Sequence, residues 1–222
     1  MITLVHSPFV GSMVWDGVAS ALREAGHAVA VPQLEVRSSG GPRWRSHVRS
    51  VVSAGAPVAL VAHSGAGPLV PAIIDVLDTR PTVVFLDATL PHPGRSRLEE
   101  MPDDLERRLV TLESRGTLPR WHEWFPHDVL RRLVPDDATR ADFMASCPDI
   151  PTALLAEAMP ETGPLDPARC AYVRLSAAYD PAADEAERLG WHSRRLDLHH
   201  LAPLTHPIEV ADAISTAIEA VG

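Results

Sequence analysis

A serine hydroxyl becomes a useful nucleophile only when a base takes its proton and a third group orients that base. The stretch Val61-Ala62-His63-Ser64-Gly65-Ala66-Gly67 offers a serine in a suitable setting, between the apolar runs 57–61 and 69–77. Small residues, Ala62 and Ala66, flank Ser64 at a distance of two, as a very tight strand-to-helix turn requires. Such a turn lifts the hydroxyl above the sheet edge and aims the Gly65 amide at an oxyanion forming beside it. Glycine is usual at both flanking positions. The competing reading is therefore an ordinary strand–turn–helix that contains a serine.

Candidates for the base lie in Asp197-Leu198-His199-His200-Leu201-Ala202, ahead of a helix that starts at Pro207. His200 is the favoured base and His199 its competitor. Two residues compete as the orienting acid. Asp180, in Tyr179-Asp180-Pro181, gives the chain order Ser64…Asp180…His200 and leads. Asp87, at the end of the run Phe85-Leu86-Asp87-Ala88, is held in reserve. The plainer readings are an Asp-Pro turn for the first and a strand-end cap for the second. His92, His122, His127, His192 and His206 form no metal-ligand pair at helical spacing, so neither metal nor cofactor is expected.

Short apolar runs alternate with amphipathic stretches, which predicts a mostly parallel, doubly wound α/β sheet. Strands are expected at 2–5, 28–31, 58–61, 82–86, 171–175 and 193–196. Helices are expected at 14–25, 44–53 and 207–218, with a polar loop, Ser38-Ser39-Gly40-Gly41-Pro42, before the second. From 88 to 168 the alternation stops, and a proline-rich series of short helices without a convincing strand takes over. This divides the chain into a core, 1–87 and 169–222, and an inserted helical cap, 88–168. Ligands bind at the carboxyl ends of such strands, so the cap would roof the site. Trp121-His122-Glu123-Trp124-Phe125-Pro126 is the densest aromatic cluster in a chain only 5% aromatic, and is read as part of that roof. Phe9 and Leu90 are expected in the pocket wall. Glu99-Glu100 and Asp103-Asp104 read as a solvated helix face.

The chain of 222 residues has a net charge of −9 and no basic stripe, which argues against a nucleic-acid partner. It contains no Lys and no Asn, while Arg, Ala and Pro are abundant, as a GC-rich bacterial genome would produce. Cys147 and Cys170 have no metal or disulfide spacing and are assigned to core packing. Met1 leads directly into Ile2-Thr3-Leu4-Val5, and no run approaches the roughly 18 apolar residues of a membrane span. A soluble, cytoplasmic protein with a small-molecule substrate and no membrane partner is expected; a homodimer is among the assemblies the sequence allows.

Taken together, Leu4-Val5-His6-Ser7-Pro8 with Trp15, Ala62-His63-Ser64-Gly65-Ala66-Gly67, Leu86-Asp87-Ala88 with Leu90-Pro91, Tyr179-Asp180-Pro181 and His200-Leu201 resemble the α/β-hydrolase superfamily. The resemblance covers nearly the whole chain. It is closest to the small capped branch of plant-type methylesterases and hydroxynitrile lyases. It implies Ser64 as nucleophile, His200 as base, Asp180 as orienting acid and the Gly65 amide as one oxyanion donor. One departure matters. Relatives have His-Gly-X after the first strand, with the amide of X as second donor, whereas here Pro8 has no N–H to give. The Phe9 amide or the Ser7 hydroxyl must replace it, or the reaction forms no ordinary oxyanion. Hydroxynitrile lyases also carry a lysine directly after the catalytic histidine; Leu201 stands there, which argues against cyanide release.

The reading is a serine hydrolase of a small to medium, largely apolar ester, thioester or lactone. The alternatives are a lyase, eliminase or cyclase of secondary metabolism using Ser64 and His200 for proton transfer, and a binding protein that has lost turnover.

Overall fold

The computed structural model describes residues 1–35 and 41–222. Ser38, Ser39 and Gly40 of the expected polar loop lie outside the described residues. Six strands form one fully parallel sheet: β1 (Ile2–Val5), β2 (Val29–Ala30), β3 (Ala59–His63), β4 (Thr82–Leu86), β7 (Cys170–Arg174) and β8 (His192–Arg195). Their spatial order is β2-β1-β3-β4-β7-β8.

Strand residues point alternately to the two faces, and a parallel sheet flanked by helices buries both. The sequence obeys this. Leu4, Val61, Val84, Leu86, Ala171 and Val173 pack on one face with α1 (Asp16–Glu24) and α11 (Pro207–Val221). Val5, Leu60, Val83, Phe85 and Tyr172 pack on the other with α2 (Arg43–Val52), α3 (Val70–Val76) and α9 (Asp180–Arg188). The short α10 (Ala202–Thr205) precedes α11.

Between β4 and β7 the chain forms α4 (Arg97–Glu100), α5 (Asp103–Leu112), α6 (His127–Leu133), α7 (Asp137–Ser146) and α8 (Ala153–Ala156). A two-residue antiparallel pair, β5 (Thr117–Leu118) with β6 (Ile150–Pro151), corrects the expectation of a strandless insertion. Two residues cannot display an alternation, so nothing in the sequence announced it. Met101, Leu109, Leu118, Trp124, Ile150 and Leu155 form a separate apolar cluster that includes Phe9 from the core.

The acidic pair Glu99-Glu100 is more than a solvated face. Glu99 closes a capping box with Ser96, and Glu100 accepts a hydrogen bond from His92 Nδ1 at 2.7 Å with its side chain only 7% exposed. Asp103 and Asp104 are exposed in the first turn of α5, as expected, where acidic side chains favour the helix dipole.

Candidate active site

Three strand ends converge on one hydroxyl. Ser64 follows β3 with φ +58° and opens a 3-10 turn, Ser64–Leu69, that runs into α3. Left-handed backbone at a non-glycine residue costs on the order of 1–3 kcal/mol and gathers at functional sites. Asp87, the residue after β4, also has positive φ, at +42°. Because His63 pairs with Leu86 across β3 and β4, these two strained residues are neighbours in register.

His200 bridges them. Its Nε2 lies 3.1 Å from Ser64 Oγ and its Nδ1 lies 2.8 Å from Asp87 Oδ2. Asp87 is fully buried, and the remaining capacity of its carboxylate is filled. Oδ1 accepts from the Leu175 and Ser176 amides at 2.8 and 2.9 Å, and Oδ2 accepts from the Ser176 hydroxyl at 2.7 Å. Burial pushes this carboxyl up, but the bonds from His200 and Ser176 outweigh it and hold Asp87 below the usual carboxylate range. The acid is therefore charged and aimed at the imidazole.

Asp180, the acid favoured from chain order, does not contact His200. Its Oδ1 accepts from Arg174 Nε at 2.7 Å and Arg195 Nη1 at 3.2 Å, with the side chain 40% exposed. Placed as the first residue of α9, it ties that helix to the edge formed by β7 and β8. The residue beside it faces inward instead. Tyr179 stacks on His200 with ring centroids 4.9 Å apart and planes 3° from parallel. The His63 ring stacks on the imidazole too, at 4.7 Å, and its Nε2 donates to the His200 carbonyl at 3.1 Å. Burial pushes His63 down to about 3, so it stays neutral and can lie against a second imidazole. The clamp of Tyr179 and His63, and the Ser176 hydroxyl, were missed in the sequence; Tyr179-Asp180-Pro181 drew attention to the wrong member of the motif. His199, the competing base, faces away and bonds Thr205 Oγ1 at 3.0 Å.

The loop expected to carry an oxyanion donor is hydrogen-bonded around Ser7. His6 Nδ1 and the Val10 amide both donate to the Ser7 carbonyl, at 2.8 and 3.1 Å, and His6 Nε2 accepts from the Leu34 amide. The Phe9 amide turns to the Ser7 hydroxyl, at 3.3 Å, and so is not a free donor. As an acceptor in that bond, the Ser7 hydroxyl keeps its own proton to donate. It also sits hard against the elbow: a Cβ on Gly65 would stand 2.8 Å from Ser7 Oγ.

Ser64 and His200 open into a cavity of about 220 Å³. Phe9 forms one wall; Trp121, Trp124, Phe125, Val129 and Leu133 of the insertion form the other. Leu90, expected in this wall, is instead packed on the far side and borders a separate groove with Pro91 and Trp191. No group of His, Cys, Asp and Glu among the described residues could hold a metal ion.

Comparison with solved structures gives this arrangement its frame. An extracellular α/β-hydrolase from a Paenibacillus species, described as sharing structural and functional homology with tobacco Salicylic Acid Binding Protein 2, superposes with a TM-score of 0.78. The chain adopts the α/β-hydrolase fold. That match covers 97% of this chain and 98% of the other at 20% identity. A pyrethroid hydrolase from Sphingobium faniae is similar at 17% identity, with 99% and 97% covered and a TM-score of 0.69. Polyneuridine aldehyde esterase is similar at 15% identity, with 97% of each chain covered and a TM-score of 0.71. No family model and no curated protein sequence matches the chain. Within this α/β-hydrolase fold, no described helix is long and apolar enough to cross a membrane.

Proposed function

We propose that the chain is a serine hydrolase of small to medium, largely apolar carboxylic esters. The unbroken series of contacts from Ser64 Oγ through His200 to Asp87 is the observation that carries this reading. In it, His200 takes the Ser64 proton at Nε2 while Asp87 accepts from Nδ1–H and stabilises the imidazolium that forms. Ser64 Oγ attacks the ester carbonyl, the alcohol leaves with the proton returned by His200, and an acyl-enzyme remains. Water, deprotonated by His200, then releases the acid.

The tetrahedral oxyanion is held by the Gly65 amide and the Ser7 hydroxyl. Pro8 removes the usual second amide, and Ser7 stands against Gly65 with a proton to give. The insertion 88–168 acts as the cap, since its aromatic side chains close over the pair of Ser64 and His200 and exclude water from the acyl centre. Ester hydrolysis is also what the names of the similar pyrethroid hydrolase and aldehyde esterase describe for those proteins.

Treatment with a fluorophosphonate, alongside turnover of a p-nitrophenyl ester panel, tests this. The expected result is covalent labelling and turnover, both lost in Ser64→Ala. A protein that neither labels nor hydrolyses any ester overturns it.

A further inference from the structure

Among the described residues, Arg97 is the one permanently charged side chain bordering the cavity above Ser64. It is the first residue of α4, fixed there by the Ser96–Glu99 capping box. Its Nη1 donates to Thr89 Oγ1 at 2.8 Å, and the Thr89 amide in turn donates to the Ser64 carbonyl at 3.1 Å. The guanidinium is thus anchored to the elbow. It is half-buried, and among the described residues no carboxylate lies within ion-pair distance of it. The nearby acids are committed elsewhere, Glu99 to Ser96 and Glu100 to His92. Arg95, the other arginine seen to border the neighbouring recess shared with Pro8, Gly65 and Arg97, instead bonds the Glu99 carbonyl.

A half-buried cation at the edge of an apolar cavity, with no protein counter-ion, is placed to pair with an anionic group on a bound ligand. Among the described residues, Arg97 Nε and Nη2 have no protein partner, and that edge of the fork matches the two oxygens of a carboxylate. A single guanidinium among Met101, Leu105 and Trp124 suits a singly charged group on an apolar chain better than a phosphate dianion. We infer that the substrate is an ester whose apolar chain also carries a carboxylate, and that Arg97 selects it. This rests on the hydrolase reading and narrows its substrate class.

The test compares p-nitrophenyl half-esters of glutaric, adipic and suberic acids with the p-nitrophenyl esters of pentanoic, hexanoic and octanoic acids. At one chain length or more, kcat/KM for the half-ester is expected to exceed that of its neutral match by about tenfold, carried by KM, the size of one charge-assisted hydrogen bond. Arg97→Met brings that ratio to about one, and Arg97→Lys restores part of it. A wild-type ratio of one or below at every length overturns the inference. So does an Arg97→Met variant that slows both esters equally and keeps the ratio, because the guanidinium would then serve the acyl centre itself. If no ester is turned over, the hydrolase reading fails separately. Calorimetric titration of Ser64→Ala with monomethyl suberate and with dimethyl suberate still decides the matter. Tighter binding of the monoacid, abolished by Arg97→Met, supports carboxylate recognition, and equal binding refutes it.

Discussion

Asp87 accepts four hydrogen bonds on a carboxylate with no exposure to solvent, so its charge and direction are both fixed before a substrate arrives. Asp87→Asn keeps the shape but replaces one acceptor with an amide donor, which forces the wrong tautomer on His200. A fall in kcat on the order of 10⁴ is expected. Asp180→Asn should leave kcat within about twofold, because its partners are Arg174 and Arg195 and not His200; steady-state assays of the two variants side by side check this, and equal losses would contradict it. Ser7→Ala removes the proposed second oxyanion donor and should lower kcat by about 10²-fold with little change in KM. An unchanged rate would return that role to a different group. Residue types and chain order were enough to bring Ser64 and His200 together as a candidate pair in the sequence. The carboxylate that contacts His200 is not the one they favoured, because Asp87 and Asp180 both follow strands, and only the backbone decides which of them turns inward. The left-handed φ of Asp87 is invisible in its neighbours' identities.

At the level of elements, the turn between β3 and α3 shows why glycine is needed at places other than those the motif suggests. Ala62 and Ala66 are fully buried and tolerated, whereas a Cβ on Gly67 would stand 1.9 Å from the Thr89 carbonyl oxygen. The contact is with backbone, so it cannot be relieved by a rotamer change. Gly67→Ala should therefore destabilise the fold by about 1–3 kcal/mol or more and separate Thr89 from the elbow. Ala66→Gly, which restores the usual flanking residue, should cost under about 1 kcal/mol through backbone entropy alone. Urea unfolding of both variants distinguishes the cases; similar midpoints would mean the loop at Thr89 moves freely. The strands themselves were legible because both faces of the sheet are buried and the runs are apolar throughout. β2 and β8 were the least faithful to expectation, since edge strands carry less apolar pattern: His192-Ser193-Arg194-Arg195 pairs only with β7. Short elements owe their form to local contacts, α4 to its capping box and α8 to the burial of Leu155 in the insertion's apolar cluster, so periodicity alone could not bound them.

Across the whole molecule, the architecture could be read from the alternation of strands and helices, but the wiring of buried polar groups between layers could not. Three histidines illustrate this. His6, His47 and His63 are each 2% exposed or less, and burial lowers all three, His47 to about 4 and His63 to about 3. In the unfolded chain each takes up a proton near pH 6.5. Between that value and about 4 the unfolded state binds more protons than the folded one, so stability must fall as pH falls. Each histidine contributes a slope of up to ~1.4 kcal/mol per pH unit once it is protonated in the unfolded chain and neutral in the fold. Asp87, with its lowered folded value, adds a further loss only below the ordinary carboxylate range, around pH 4. The midpoint of urea unfolding should thus drop steeply from pH 6.5 to 4.5, with an unchanged m-value. His47→Gln retains a side-chain donor for the Glu35 backbone but cannot titrate, and should flatten that slope by about one proton's worth. A midpoint that is level over this range, or a slope untouched by His47→Gln, would show that these rings take up protons inside the fold.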